Sequence, residues 1–88
     1  MNKRPATARQ LQVLGIIERW VFDKGFPPTH REICAELGVS EKSTAAAHYH
    51  LRQLEARGLL NRHEATSRGI AITFAGHDVL VEQRRILR

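Results

Sequence analysis

The sequence predicts a mainly α domain with a small β-hairpin: a three-helix core, a two-stranded wing and a C-terminal helix. Three observations within residues 25–69 predict it. Pro27-Pro28-Thr29 leads into a short helical pattern that stops at Gly38. A Ser/Thr/Ala-rich second pattern follows and turns at Arg57-Gly58-Leu59-Leu60. Two short apolar runs then flank a polar loop ending in Ser67-Arg68-Gly69-Ile70. Two helices separated by a glycine turn, followed by a hairpin with a basic tip, is the layout of a winged helix-turn-helix.

The elements follow in order. Residues 1–6 form a basic arm, and residues 7–74 the winged domain. Thr7-Ala8-Arg9-Gln10 fits a capping box, in which the Thr7 hydroxyl and Gln10 amide satisfy N–H groups left free at a helix start. Leu11, Leu14, Ile17 and Val21, flanked by Val13, Trp20 and Phe22, predict a broad buried stripe. Asp23-Lys24-Gly25 ends this helix, with Gly25 as a left-handed cap. Proline keeps the preceding backbone extended. Thr29 then opens a second capping box with Glu32, and the helix runs from His30 to Leu37 with Ile33, Cys34 and Leu37 inward. Val39 is expected to plug the turn. The third helix begins between Glu41 and Thr44, with Ser40 and Ser43 as alternative caps, and runs to Arg57. Ala47, Leu51 and Leu54 share its core face through spacings of four and three. Leu59–His63 and Ile70–Phe74 read as hairpin strands. Residues 75–88 form the last helix, from about His77, with an inner stripe of Val79, Leu80, Gln83, Ile86 and Leu87. This helix is a natural end to the domain and a candidate dimerisation element.

Composition narrows the function. The chain has 88 residues, enough for one modest core. Its formal charge of +5 favours a polyanionic partner, with nucleic acid ahead of membranes or acidic proteins. Cys34 is the single cysteine, so no intramolecular disulfide forms; among helix-2 core positions it reads as a small buried hydrophobe. No segment reads as a signal peptide or membrane span, and a cytoplasmic, nucleoid-associated location is expected.

The third helix carries the chemistry. A helix that reads base edges in the major groove needs small and polar residues at its N-terminal end. Ser40, Glu41, Lys42, Ser43, Thr44, Ala45 and, one turn on, His48 meet that need. Lys42 matches guanine or phosphate, Ser43 and Thr44 donate or accept, Ala45 suits a thymine methyl, and Glu41 matches cytosine. Thr29, His30 and Arg31 stand at the start of the second helix, where free N–H groups favour phosphate. Arg52, Arg62, Ser67 and Arg68 complete a candidate phosphate footprint. Each of these positions also suits an ordinary solvated surface; their grouping around one helix is what points to DNA.

The residues reach a resemblance. Thr7-Ala8-Arg9-Gln10 with Val13 and Ile17, Gly25-Phe26-Pro27-Pro28-Thr29 with Arg31-Glu32-Ile33, Leu37-Gly38, His50-Leu51 with Leu54, Gly58-Leu59-Leu60 and Ser67-Arg68-Gly69-Ile70 occur in order. Over about Ala6–Ile72 the chain resembles the N-terminal DNA-binding domain of the LexA family of SOS repressors. The resemblance implies transcriptional repression by an operator-bound dimer, with the third helix in the major groove. Two departures qualify it. Between Gly38 and Leu51 the chain is about two residues longer than the family pattern; within the helix this would turn a face by about 200°, whereas a longer loop before the helix would shift the register instead. The family's self-cleaving peptidase domain, with its Ser–Lys dyad, has no counterpart in these 88 residues.

Competing functions fare worse. His48 and His50 are two apart on a helix and point to different faces, so they chelate one ion poorly. There is no phosphate-cradling glycine loop, nucleophile–base pair or paired carboxylate in a cleft context. No enzyme activity, cofactor, metal or small-molecule substrate is therefore expected. A winged-helix protein–protein module is the alternative, because the apolar stripe of the last helix exceeds what one small core needs. The expected partners are double-stranded DNA, at a palindromic site, and a second copy of the chain.

Overall fold

The computed structural model describes residues 6–39, 44–63, 66 and 68–86. It contains α1 (Ala8–Lys24), α2 (His30–Leu37), α3 (Ala45–Ala56), β1 (Leu60–Arg62), β2 (Ile70–Ile72) and α4 (Phe74–Ile86), a winged helix-turn-helix with an added C-terminal helix. Helix α1 is central and packs against α2, α3, α4 and β2.

Local chemistry sets the helix ends. At α1 the Thr7 hydroxyl accepts from the Gln10 N–H at 3.1 Å, and the Gln10 side chain accepts from the Thr7 N–H at 3.0 Å. Gln10 is buried for this reason, its polar end satisfied at the cap. Thr29 and Glu32 repeat the motif at α2, with distances of 3.2 and 2.8 Å. Gly38 closes α2 with φ of 79°, a left-handed conformation that a Cβ disfavours. Helix α3 starts at Ala45, with Thr44 at the N-cap position making no side-chain cap bond. The alternative caps Ser40 and Ser43 lie outside the described residues.

The core is one cluster. Val13, Leu14, Ile16 and Ile17 of α1 meet Ile33 and Cys34 of α2, Ala47, Leu51 and Leu54 of α3, Leu59, Leu60 and Ile70 of the hairpin and Leu80 of α4. Because α1 is packed on several sides, its buried arc is wider than the expected stripe and takes in Ile16. The far end of α1 borders an open groove beside Pro27, β2 and His77. Val21 and Phe22, expected inside, are 43% and 87% exposed. Val39 is also exposed and does not plug the turn; its N–H donates to the Cys34 carbonyl at 3.1 Å, which helps close α2.

The hairpin is shorter than expected. It pairs Leu60 with Ile72, Asn61 with Ala71 and Arg62 with Ile70 in antiparallel register. Phe74 continues the alternation of Ile70 and Ile72 but starts α4 and is exposed. Thr73 makes the switch: its hydroxyl donates to the Gly58 carbonyl at 2.7 Å and accepts from the Gly76 N–H at 3.0 Å, capping the new helix. Helix α4 therefore starts at Phe74, three residues before the expected body of the helix, and Gly76 lies in its first turn. That glycine is buried, and a Cβ there would press on the Leu59 carbonyl oxygen and come within 2.6 Å of Ile72 Cγ2. Leu80 and part of Val79 face the core, whereas Ile86 is exposed, and Leu87 lies outside the described residues. Glu18 of α1 holds α4 through an ion pair with Arg84, and its other carboxylate oxygen lies 3.7 Å from His77 Nδ1.

Candidate nucleic-acid interface

Burial of Ala47, Leu51 and Leu54 decides which side of α3 is presented outward. Ala45, His48, Tyr49 and Arg52 are exposed at spacings of three, four and seven, so they form one continuous outward face. Thr44 is partly buried at the head of this face. Tyr49 is the residue that sequence reasoning missed. Its place four residues after Ala45 was the available signal. Its ring, 53% exposed, meets His50 edge-on with centroids 5.2 Å apart.

The start of α2 stands beside this face. The His30 and His48 rings meet edge-on, with centroids 4.1 Å apart. His30, His48, Arg62, His63, Thr66, Gly69 and Ile70 line a concavity of about 300 Å³ where α2, α3 and the hairpin converge. Burial, then the neighbouring His48, then Arg62, lower the His30 pKa from its ordinary value. A phosphate placed here would act in the opposite sense, because an anion favours the imidazolium. His50 points elsewhere. It is partly buried, and its pKa is lowered by burial and by Arg9 of α1. His48 and His50 thus diverge, and no cluster of three or more metal-ligating side chains occurs among the described residues.

The cations fall into two groups. Arg31 and Arg52 are exposed and form no ion pair with any described residue. Arg62 is partly buried with its Nε 3.4 Å from Glu55 Oε1. Arg68 is also engaged: it donates to Glu32 and to the Pro27 carbonyl. Thr29 is occupied as the α2 cap, partly buried beside His30. Ser40, Glu41, Lys42, Ser43 and Ser67 lie outside the described residues. The structure thus brings together Thr29, His30, Arg31, Thr44, Ala45, His48, Arg52 and Arg62 around the start of α2 and the outward face of α3. It ties Arg68, at the wing, to the start of α2.

These features define a winged helix-turn-helix domain whose outward helix presents a polar face with Arg52 on it. The chain matches the model of the LexA DNA-binding domain over residues 3–69. It belongs to that family. It is 46% identical over 74 residues to the LexA repressor of Ligilactobacillus salivarius, covering 84% of this chain and 35% of that repressor. It is 48% identical over 73 residues to the LexA repressor of Marinobacter nauticus, covering 83% and 35%. The match to the LexA repressor of Lactobacillus helveticus, 40% identical over 87 residues, covers 98% of this chain and 41% of that protein. The chain thus spans about a third of the length of the first two of these curated relatives. No helix among the described residues is long and apolar enough to cross a membrane.

Proposed function

We propose that this protein binds double-stranded DNA in a sequence-dependent way and represses transcription by occupying its site. The observation that carries the reading is the LexA-family match across the helix-turn-helix and most of the wing, on a fold whose outward α3 face is polar and carries Arg52. In this reading α3 enters the major groove. Thr44, Ala45, His48 and Tyr49 meet base edges, together with Lys42 and Ser43 ahead of the helix. Thr29, His30, Arg31, Arg52 and Arg62 position the domain on phosphates. Arg52 lies on the same stripe as Ala45, which suits a phosphate at the groove edge or a guanine inside it.

A two-fold dimer on a palindromic site is the assembly that suits a small reader of this kind. Exposed Val81 and Ile86 on α4 offer apolar surface for a second copy. The mechanism needs no chemistry on the DNA, only equilibrium occupancy of the site.

Selection from random duplexes at a stated salt concentration tests the reading. Enrichment of one sequence, with a palindromic repeat and salt-sensitive affinity, is expected. Sedimentation with and without the selected duplex tests the dimer separately. Failure to bind any duplex in a salt-sensitive way would remove DNA as the partner.

A further inference from the structure

Glu32 performs two tasks with one carboxylate. Its Oε1 accepts from the Thr29 N–H at 2.8 Å, which completes the α2 cap. The same oxygen accepts from Arg68 Nη1 at 2.8 Å, and Oε2 accepts from Arg68 Nη2 at 3.1 Å. Arg68 Nη1 also donates to the Pro27 carbonyl at 2.8 Å, and the guanidinium lies 4.6 Å from the centre of the Phe26 ring. A planar, doubly bonded and stacked guanidinium is held in orientation as well as in place. The Glu32 pKa is lowered, first by the Arg68 bond and then by the Thr29 N–H.

The hairpin needs such a tie. It has three residue pairs, and a two-stranded hairpin of that size is marginal by itself. Leu60 and Ile70 anchor it to the core. Arg68 sits just before β2, where the chain leaves the loop, and reaches back to the start of the helix that stands beside the α3 face. The loop is therefore referenced to α2 through a charged clamp.

We propose that Arg68 and Glu32 are positioning residues, which set the wing against α2 and α3 so that wing and reading helix engage one DNA site together, and that the Arg68 guanidinium is not a phosphate contact. This rests on the DNA-binding reading. The sequence by itself favours the opposite role, because a basic residue at a wing tip ordinarily meets the backbone.

Glu32→Gln separates the two roles by sign. Glutamine keeps the capping box, so α2 retains its start. The change removes a negative charge from a DNA-facing region, and electrostatics alone would tighten binding to every duplex. The clamp predicts that the selected duplex binds about fivefold more weakly, a size suited to a partly exposed charged pair. Random duplex should be bound equally or more tightly. Arg68→Ala should lower the selected-to-random affinity ratio similarly. The double variant should be no worse than Arg68→Ala, because the two residues act as one unit. In the free protein, Glu32→Gln should speed hydrogen exchange of the His63 N–H, which donates to the Gly69 carbonyl, while Leu51 in the core keeps its protection. Tighter or unchanged binding of Glu32→Gln to the selected duplex overturns the proposal. So does an Arg68→Ala variant that weakens all duplexes alike and lowers the salt slope by about one. If the wild-type chain selects no duplex, the DNA reading fails, and hydrogen exchange still decides whether the clamp holds the wing.

Discussion

Gly76→Ala is the perturbation on which local and tertiary reasoning disagree. In a helix interior alanine is favoured over glycine by about 1 kcal/mol, so a reader of the sequence would expect stabilisation. The structure predicts the reverse. The new methyl group would press on the Leu59 carbonyl oxygen and lie 2.6 Å from Ile72 Cγ2. The Leu59 carbonyl cannot simply retreat, because it also accepts from the Thr73 N–H at 3.2 Å. Overpacking of this kind costs about 1–3 kcal/mol. Losing the Thr73 bond adds about 1 kcal/mol. Set against the gain in propensity, the net loss is about 1–3 kcal/mol. For a domain of this size that lowers the melting temperature by roughly 4–8 °C per kcal/mol. Urea and thermal unfolding followed by circular dichroism measure it. A variant that melts at or above the wild-type temperature would refute the close seating of α4 on the hairpin.

Three further outcomes follow from the site. The folded His30 pKa is depressed by burial, His48 and Arg62, and that of His50 by burial and Arg9, so the unfolded chain binds more protons near neutrality. Stability is fully present above the unfolded value of about 6.5 and is lost as pH falls through it; melting between pH 7.5 and 5.5 should show this, with a shallower slope in His30→Gln. Arg52→Ala should weaken selected duplex and lower the salt slope of binding by about one, read from titrations at several salt concentrations; an unchanged slope would take Arg52 off the phosphate backbone. Tyr49→Ala, on the exposed face, should leave unfolding within about 0.5 kcal/mol of wild type while changing which duplexes are selected; an unaltered selection would remove Tyr49 from the reading face.

The sequence determined the parts of this protein that depend on neighbours along the chain. The Thr7–Gln10 and Thr29–Glu32 capping boxes, the Gly25 and Gly38 stops and the shared core face of Ala47, Leu51 and Leu54 follow from chemistry acting over three or four residues. So does the family, because its motifs are strings of adjacent residues. Tertiary structure decided what distant contacts control. Val21 and Phe22 fit the apolar stripe of α1, but they border an open groove beside β2 and His77 and stay exposed. Phe74 keeps the strand alternation, but Thr73 bonds across to Gly58 and starts a helix there. Arg68 carries the composition of a free wing tip. Its engagement comes from Glu32 and Pro27, which are 36 and 41 residues away. Sequence periodicity reports which side of an element is apolar. Only the folded chain determines whether another element is present to cover that side, or which distant charge a side chain will meet.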